Sequence, residues 1–185
     1  LPIEVLSIYK RFPQFLDRKL GAALQRGRDP FSFPGLALTE TNGESKEINR
    51  HKQGAIIMAG SGMCTGGRIK HHLLHNIERA ACTILFVSYQ SRGTLGREIA
   101  EGAEKVRIFG RFYPVRARVE TINGFSGHAD RTELLEWLGA LRRKPERIFV
   151  VHAEKESAEE FARAVGERFG IATGIPAFGA TVDVG

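Results

Sequence analysis

Two histidines carry the spacing best suited to chemistry. His128 lies in "GFSGHAD", residues 124–130, and His152 closes "RIFVVH", residues 147–152. Imidazole titrates near neutrality, so it can carry a proton or bind a metal. The neighbours of His128 are small: Gly124, Ser126, Gly127 and Ala129. Such a loop lets a ligand approach the backbone, and free N–H groups just before a helix suit a phosphate. Residues 115–122 alternate like a strand, 131–143 carry helical spacing, and 147–152 read as a strand. A strand–helix–strand unit is right-handed and parallel. This reading brings His128 and His152 to one sheet edge, where ligands of open α/β sheets collect. A plainer reading also stands, with His128 as a turn residue and His152 as a strand end. Asp130 lies three residues before Glu133 and fits a capping box. Glu154 fits a first-turn acid favoured by the helix dipole.

The elements that must position these residues follow from periodicity. The first 25 residues read as helical, interrupted near Pro13, with Val5, Ile8, Phe12, Phe15, Leu16 and Leu20 as the apolar stripe. "LALTE" (36–40), "GAIIMA" (54–59) and "CTILFVS" (82–88) read as strands. "ESKEINRHK" and "RIKHHLLHNIERA" read as helices, and "GSGMCTGG" (60–67) as a glycine-rich loop between strand and helix. It is not a P-loop, because no G-K-[ST] follows. "VRIFG" reads as a further strand. Leu134, Leu138 and Leu141 form one helical stripe, and Ala158, Phe161, Ala162, Val165 and Phe169 another, with Gly170 at a C-cap position. The fold class is α/β.

Composition bounds the rest. The chain has 185 residues, 27 Lys and Arg against 21 Asp and Glu, and a net charge of +6. That excess suits a polyanionic partner such as RNA or DNA. No apolar run is long enough for a transmembrane helix, which argues against a membrane partner. Two cysteines, Cys64 and Cys82, make no disulfide framework, and a reducing cytoplasm is the expected compartment.

"GFSGHAD" followed by "VVHAE" resembles two motifs of the β-CASP group of metallo-β-lactamase-fold ribonucleases, the RNase J-like and pre-mRNA-cleavage-endonuclease-like enzymes. "GAIIMAGSGMCTGGRIKHHLLHNI", "TILFVSYQSRGTLGREI" and "VRARVETINGFSGHADRTELLEWL" are similar to further segments of that group, in the same order. The terminal "IPAFGATVDVG" resembles its closing strand. The resemblance implies part of a β-CASP domain over residues 1–104, a parallel sheet with flanking helices. It implies the C-terminal half of a metallo-β-lactamase αββα fold over 105–185. His128 would be catalytic, as general acid toward the leaving oxygen or by stabilising charge on the phosphoryl group, and His152 a zinc ligand in a site of two metals. Ser126 and Gly127 would hold the scissile phosphate, and Ser61, Gly62 and Arg68 would meet RNA. Arg92, Arg97, Arg107, Arg111, Arg116 and Arg118 would add charge, on RNA or on a solvated face.

The chain departs from the group's pattern. The His-x-His-x-Asp-His run is absent, and the six histidines at 51, 71, 72, 75, 128 and 152 cannot supply it. His71 and His75, at i and i+4, lack the Glu of a zincin motif. The expectation is the C-terminal portion of a longer zinc-dependent RNA-processing nuclease, inactive alone and without zinc of its own. A half-sandwich would expose an apolar sheet face, so a homodimer or the missing N-terminal half is the expected partner. The other reading is a non-catalytic RNA-binding or assembly module of a processing complex.

Overall fold

A proline and a glycine set the geometry of the N-terminal helices. In the computed structural model, which describes residues 2–51, 54–122, 124–125 and 127–183, α1 (Pro2–Arg11) stops just short of Pro13. The proline ring has no N–H to continue the helix, and a 3-10 turn (Pro13–Phe15) leads into α2 (Arg18–Gln25). Asp17 caps α2 by accepting from the N–H groups of Lys19 and Leu20. Gly21 lets α2 lie on the turn, since a Cβ there would sit 2.6 Å from the Pro13 carbonyl oxygen. The expected apolar stripe is only partly buried. Val5, Leu16 and Leu20 are half-buried, whereas Ile8, Phe12 and Phe15 are exposed. Periodicity marks a face that can be covered, and only a packed neighbour covers it.

The helix α3 (Asn42–Glu47) carries a full capping box between Thr41 and Glu44. Beyond it come α4 (Gly67–Asn76), β1 (Thr83–Phe86), α5 (Leu95–Ala100), β2 (Lys105–Ile108), β3 (Arg111–Pro114) and β4 (Arg118–Thr121). β1 and β4 pair in parallel, from Thr83 opposite Arg118 to Phe86 opposite Thr121. β2 and β3 form an antiparallel hairpin closed at Ile108 and Arg111. Its two loop residues, Phe109 and Gly110, both have positive φ, 48° and 84°, as a type I′ turn demands. β3 had no counterpart in the sequence reading. Two strands expected there, 36–40 and 54–59, have no ladder partner among the described residues. Ile56 and Met58 are 91% and 77% exposed. An apolar run suits a strand, but a strand exists only through hydrogen bonds to another.

The core of this part gathers Cys64, Leu73, Ile77, Phe86, Ile99, Val106 and Ile108. Residues 126–185 form a second compact unit, the first being 1–125. It holds α6 (Arg131–Ala140), β5 (Arg147–Phe149), α7 (Lys155–Phe169) and β6 (Ala172–Gly174). β5 and β6 pair in parallel, from Arg147 opposite Ala172, with α7 as the crossover between them. Leu135, Leu138, Ala164, Val165 and Ile171 make its core. On α6 the buried pair is Leu135 and Leu138, and Leu134 of the expected stripe is exposed. On α7 the expected stripe holds, and Gly170 (φ 66°) closes the helix in the left-handed region, donating to the Gly166 carbonyl. β6 is the last strand among the described residues, and 175–183 are not in a strand. The closing strand expected over 175–185 is therefore not found in 175–183, and residues 184 and 185 lie outside the described ones.

The expected parallel strand–helix–strand unit that brings His128 and His152 to one sheet edge does not form as a shared ladder among the described residues. β4 pairs with β1, and β5 with β6. Order along the chain leaves the hydrogen-bonding partner of a strand open, and here each strand takes one from its own unit.

Removing buried methyl groups from the first core leaves a cavity, so Ile99→Ala should cost about 2–5 kcal/mol. Asp130→Ala removes the cap of α6 and should cost about 1 kcal/mol. Urea unfolding followed by far-ultraviolet circular dichroism checks the first, and fluorescence of Trp137, on α6, checks the second.

Candidate functional site

Asp130 fixes where the histidine loop ends. Its carboxylate accepts from the Glu133 N–H at 2.9 Å, and Glu133 accepts in return from the Asp130 N–H at 2.9 Å. The capping-box reading holds, and both carboxylates are committed to starting α6. His128 stands two residues before this cap, exposed, next to exposed Gly127. With Ala129, Glu133, Leu134 and Trp137 they line an open depression of about 640 Å³. Ser126 lies outside the described residues. Trp137, which offers an exposed ring to this depression, was not singled out from sequence.

His152 follows β5 and is exposed. It is not among the residues lining the depression. Its φ of 59° places it in the left-handed region, costly for any residue with a Cβ. Such strain is a recurrent property of functional positions. Glu154 occupies the N-cap position of α7 without a side-chain cap bond.

The glycine-rich loop 60–67 is built by close backbone contacts. The Gly60 carbonyl accepts from the Ile69 N–H at 3.3 Å, and a Cβ on Gly67 would lie 2.8 Å from that same oxygen. Gly67 also has φ 71°, so only glycine fits here. Ser61 Oγ lies 3.4 Å from Thr65 Oγ1. Gly62 faces Ser88, whose Oγ would stand 3.8 Å from an added Cβ. The loop interlocks with residues 88–96: the Met63 carbonyl accepts from the Gly96 N–H at 3.0 Å. Buried Gln90 donates to the carbonyls of Ser88 and Tyr89.

Arg68 serves the loop as an anchor. Its guanidinium donates to the carbonyls of Thr39 (2.7 Å) and Glu40 (2.6 Å). Arg97 is similarly engaged, with Glu101 at 2.6 Å and the Gln90 carbonyl at 3.1 Å. Arg107 donates to the Gly110 carbonyl. These arginines organise backbone, and their charge stays available only in part.

Sequence reasoning also missed a buried polar clamp. Ser45 Oγ lies 3.1 Å from His72 Nε2, and Asn49 Oδ1 lies 3.3 Å from His72 Nδ1. A neutral imidazole protonated at Nδ1 satisfies both contacts. The order hydroxyl, imidazole, amide is that of a nucleophilic triad. Ser45 and His72 are both buried, however, so no substrate reaches Oγ. The set fastens α3 and the turn after it to α4. Burial holds the His72 pKa below its ordinary value, and nearby His75, His71 and Arg68 push the same way.

Comparison with known proteins decides the family. Residues 1–99 match the Beta-Casp domain. The chain belongs to the β-CASP family. Residues 113–176 of this β-CASP chain match the Zn-dependent metallo-hydrolase RNA specificity domain. A ribonuclease of Thermus thermophilus is 42% identical over 153 residues, 83% of this chain and 35% of that protein. Transcription termination factor FttA of Pyrococcus horikoshii is 34% identical over 179 residues, 94% of this chain and 28% of that protein. FttA of Methanocaldococcus jannaschii is 31% identical over the same coverage. The chain thus spans about a third or less of the length of these relatives.

The family description implies zinc. Among the described residues there is no group of three or more His, Cys, Asp or Glu able to hold a metal ion. His71 packs instead on the Phe109 ring at 4.7 Å, and His72 is buried in its clamp. These residues do not make a zinc site, whose protein ligands number three or four.

Two outcomes follow. Gly67→Ala meets both a forbidden φ and a backbone clash, and should lower the urea midpoint by the equivalent of about 1–3 kcal/mol. The unfolded chain protonates His72 near 6.5, while the native clamp resists that proton. Stability should therefore be full above that pH and fall as pH drops through it. His72→Gln should flatten this slope in urea titrations at pH values between about 5 and 8.

Proposed function

We propose that this chain is the C-terminal part of a zinc-dependent RNA-processing nuclease that hydrolyses phosphodiester bonds. Residues 1–104 belong to its β-CASP domain and 105–185 to the C-terminal half of its metallo-β-lactamase domain. A boundary near residue 104 falls between the matched stretches 1–99 and 113–176. The observation that carries the reading is the exposed His128 in an open depression, on a loop of small residues. That loop lies inside the stretch similar to an RNA specificity domain.

In this reading the Gly127 backbone and the Ser126 hydroxyl hold the scissile phosphate. Water attacks phosphorus and releases a proton to solvent, the bond to the leaving oxygen breaks, and the His128 imidazolium gives that oxygen its proton. Zinc, if held by the complete enzyme, would supply Lewis acidity. His152 contributes one imidazole to a ligand set whose other members lie outside this chain. Ser61 and Gly62 on the interlocked loop, with Arg68 just after it, meet the RNA strand. The exposed Ile56 and Met58 call for cover by the missing N-terminal half or by a second copy. The compartment is cytoplasmic, and no helix among the described residues is long and apolar enough to cross a membrane.

The absence of a three-ligand group among the described residues favours a second reading for the chain by itself, a non-catalytic RNA-binding or assembly module.

Variants of the complete enzyme separate the two. His128→Ala should lower turnover about 10²–10⁴-fold with zinc content unchanged, and His152→Ala should lower zinc content, both read by RNA cleavage and elemental analysis. Full activity in both variants would sink the nuclease mapping.

A further inference from the structure

The helix α2 carries a cluster of cations that no motif explains. Arg18, Lys19, Arg26 and Arg28 surround Ala22 and Ala23 at an open depression of about 530 Å³. All four cations are exposed, and the two alanines are half-buried. Helical spacing aligns Arg18, Ala22 and Arg26 on one row and Lys19 and Ala23 on the next. The small alanines form a floor with cations around it.

Arg28 reaches this face because of how the helix ends. Gly27, at φ 73°, donates to the Leu24 carbonyl, and the Arg28 N–H returns to the Ala23 carbonyl at 2.9 Å. This is the paired bonding of a Schellman turn, and it folds Arg28 back beside Ala23. At the other end the helix is pinned by the Asp17 cap and by the contact of Gly21 with Pro13. The platform is therefore fixed before any partner arrives.

Its charge is only partly offset. The first turn of α2 has no acidic residue, and Arg18 and Lys19 stand where the helix dipole disfavours cations. The adjacent carboxylates are engaged elsewhere, Asp17 in the cap and Asp29 with Lys10 at 2.5 Å. A face that gathers four exposed cations around two alanines attracts a polyanion.

We infer that this face of α2 is a second RNA-binding surface, separate from the His128 loop, which grips the phosphate backbone without reading bases. The inference rests on the reading of RNA as substrate and adds to it the place where a strand is held. Arg18 and Arg26 lie about 12 Å apart along the helix axis, at about 1.5 Å per residue. That span exceeds the distance between neighbouring phosphates of one strand, so the two arginines reach different phosphates.

The test is binding of a labelled oligouridylate of about 20 nucleotides to the 185-residue chain, by fluorescence anisotropy across a salt series. Each phosphate contact adds about 0.7 to the slope of log affinity against log salt for a single strand. Arg18→Gln with Arg26→Gln should shrink that slope by about 1.4. Between 50 and 200 mM salt the wild-type chain should then lose about sevenfold more affinity than the variant. Lys19→Gln with Arg28→Gln should act in the same direction, and serves if the first pair perturbs folding. Arg142→Gln with Arg143→Gln, equal in charge but on another segment, should leave the slope nearly unchanged. An equal fall in that control, or unchanged slopes in both α2 variants, overturns the proposal while RNA binding itself stands. No RNA binding by the wild-type chain, or loss by the α2 variants of binding to phosphatidylserine vesicles alone, also overturns it. Cleavage by the complete enzyme, tested at His128, decides the nuclease reading independently.

Discussion

The burial of Ile77 is the contact on which the first unit depends. Its side chain is closed to solvent among Leu73, Phe86, Ile99, Val106 and Ile108. Its carbonyl meanwhile accepts from the N–H groups of Arg116 and Ala117, each at 2.9 Å. One residue thus joins the end of α4 to the segment leading into β4 and to the hairpin that precedes it. The sheets here have two strands each, too few to be stable by ladder bonds alone. Apolar burial around Ile77 and its neighbours supplies what the short ladders cannot.

From that core the interlocked loops are hung. The Gly60–Gly67 loop begins α4, and its Met63 carbonyl holds the start of α5 through Gly96. At 67 and 96 backbone or a buried amide occupies the space of a Cβ, and at 67 the positive φ demands glycine as well. Arg68 and the Ser45–His72–Asn49 clamp then tie the 39–50 segment onto α4. In the second unit the logic is simpler. Leu138 and Val165 fill a small core between α6 and α7, and the Asp130 cap sets where the His128 loop must end.

Several of these arrangements separate residues that look alike in a list. Arg68 and Arg26 are both cations in a basic chain, yet Arg68 is bound to two carbonyls while Arg26 faces solvent beside other cations. His72 and His128 are both imidazoles, yet one is a buried fastener and the other an exposed group on a small-residue loop. Environment, more than residue type, assigns the role.

The sequence by itself determined the local features. Pro13 as a break, Asp130 and Glu133 as a capping box, Gly170 as a left-handed cap and the α7 stripe are all readable because each is settled within a few residues. The family was legible as well, since motif order survives without knowledge of contacts. Only the tertiary structure decided that β4 joins β1 and β5 joins β6, and that Leu135 rather than Leu134 is covered. It alone showed that 54–59 finds no strand partner among the described residues, and that His72 meets Ser45 and Asn49. Those outcomes depend on which surfaces meet across long stretches of chain. Hydrogen bonding and burial between distant segments are properties of the packed molecule, and periodicity records only the capacity for them.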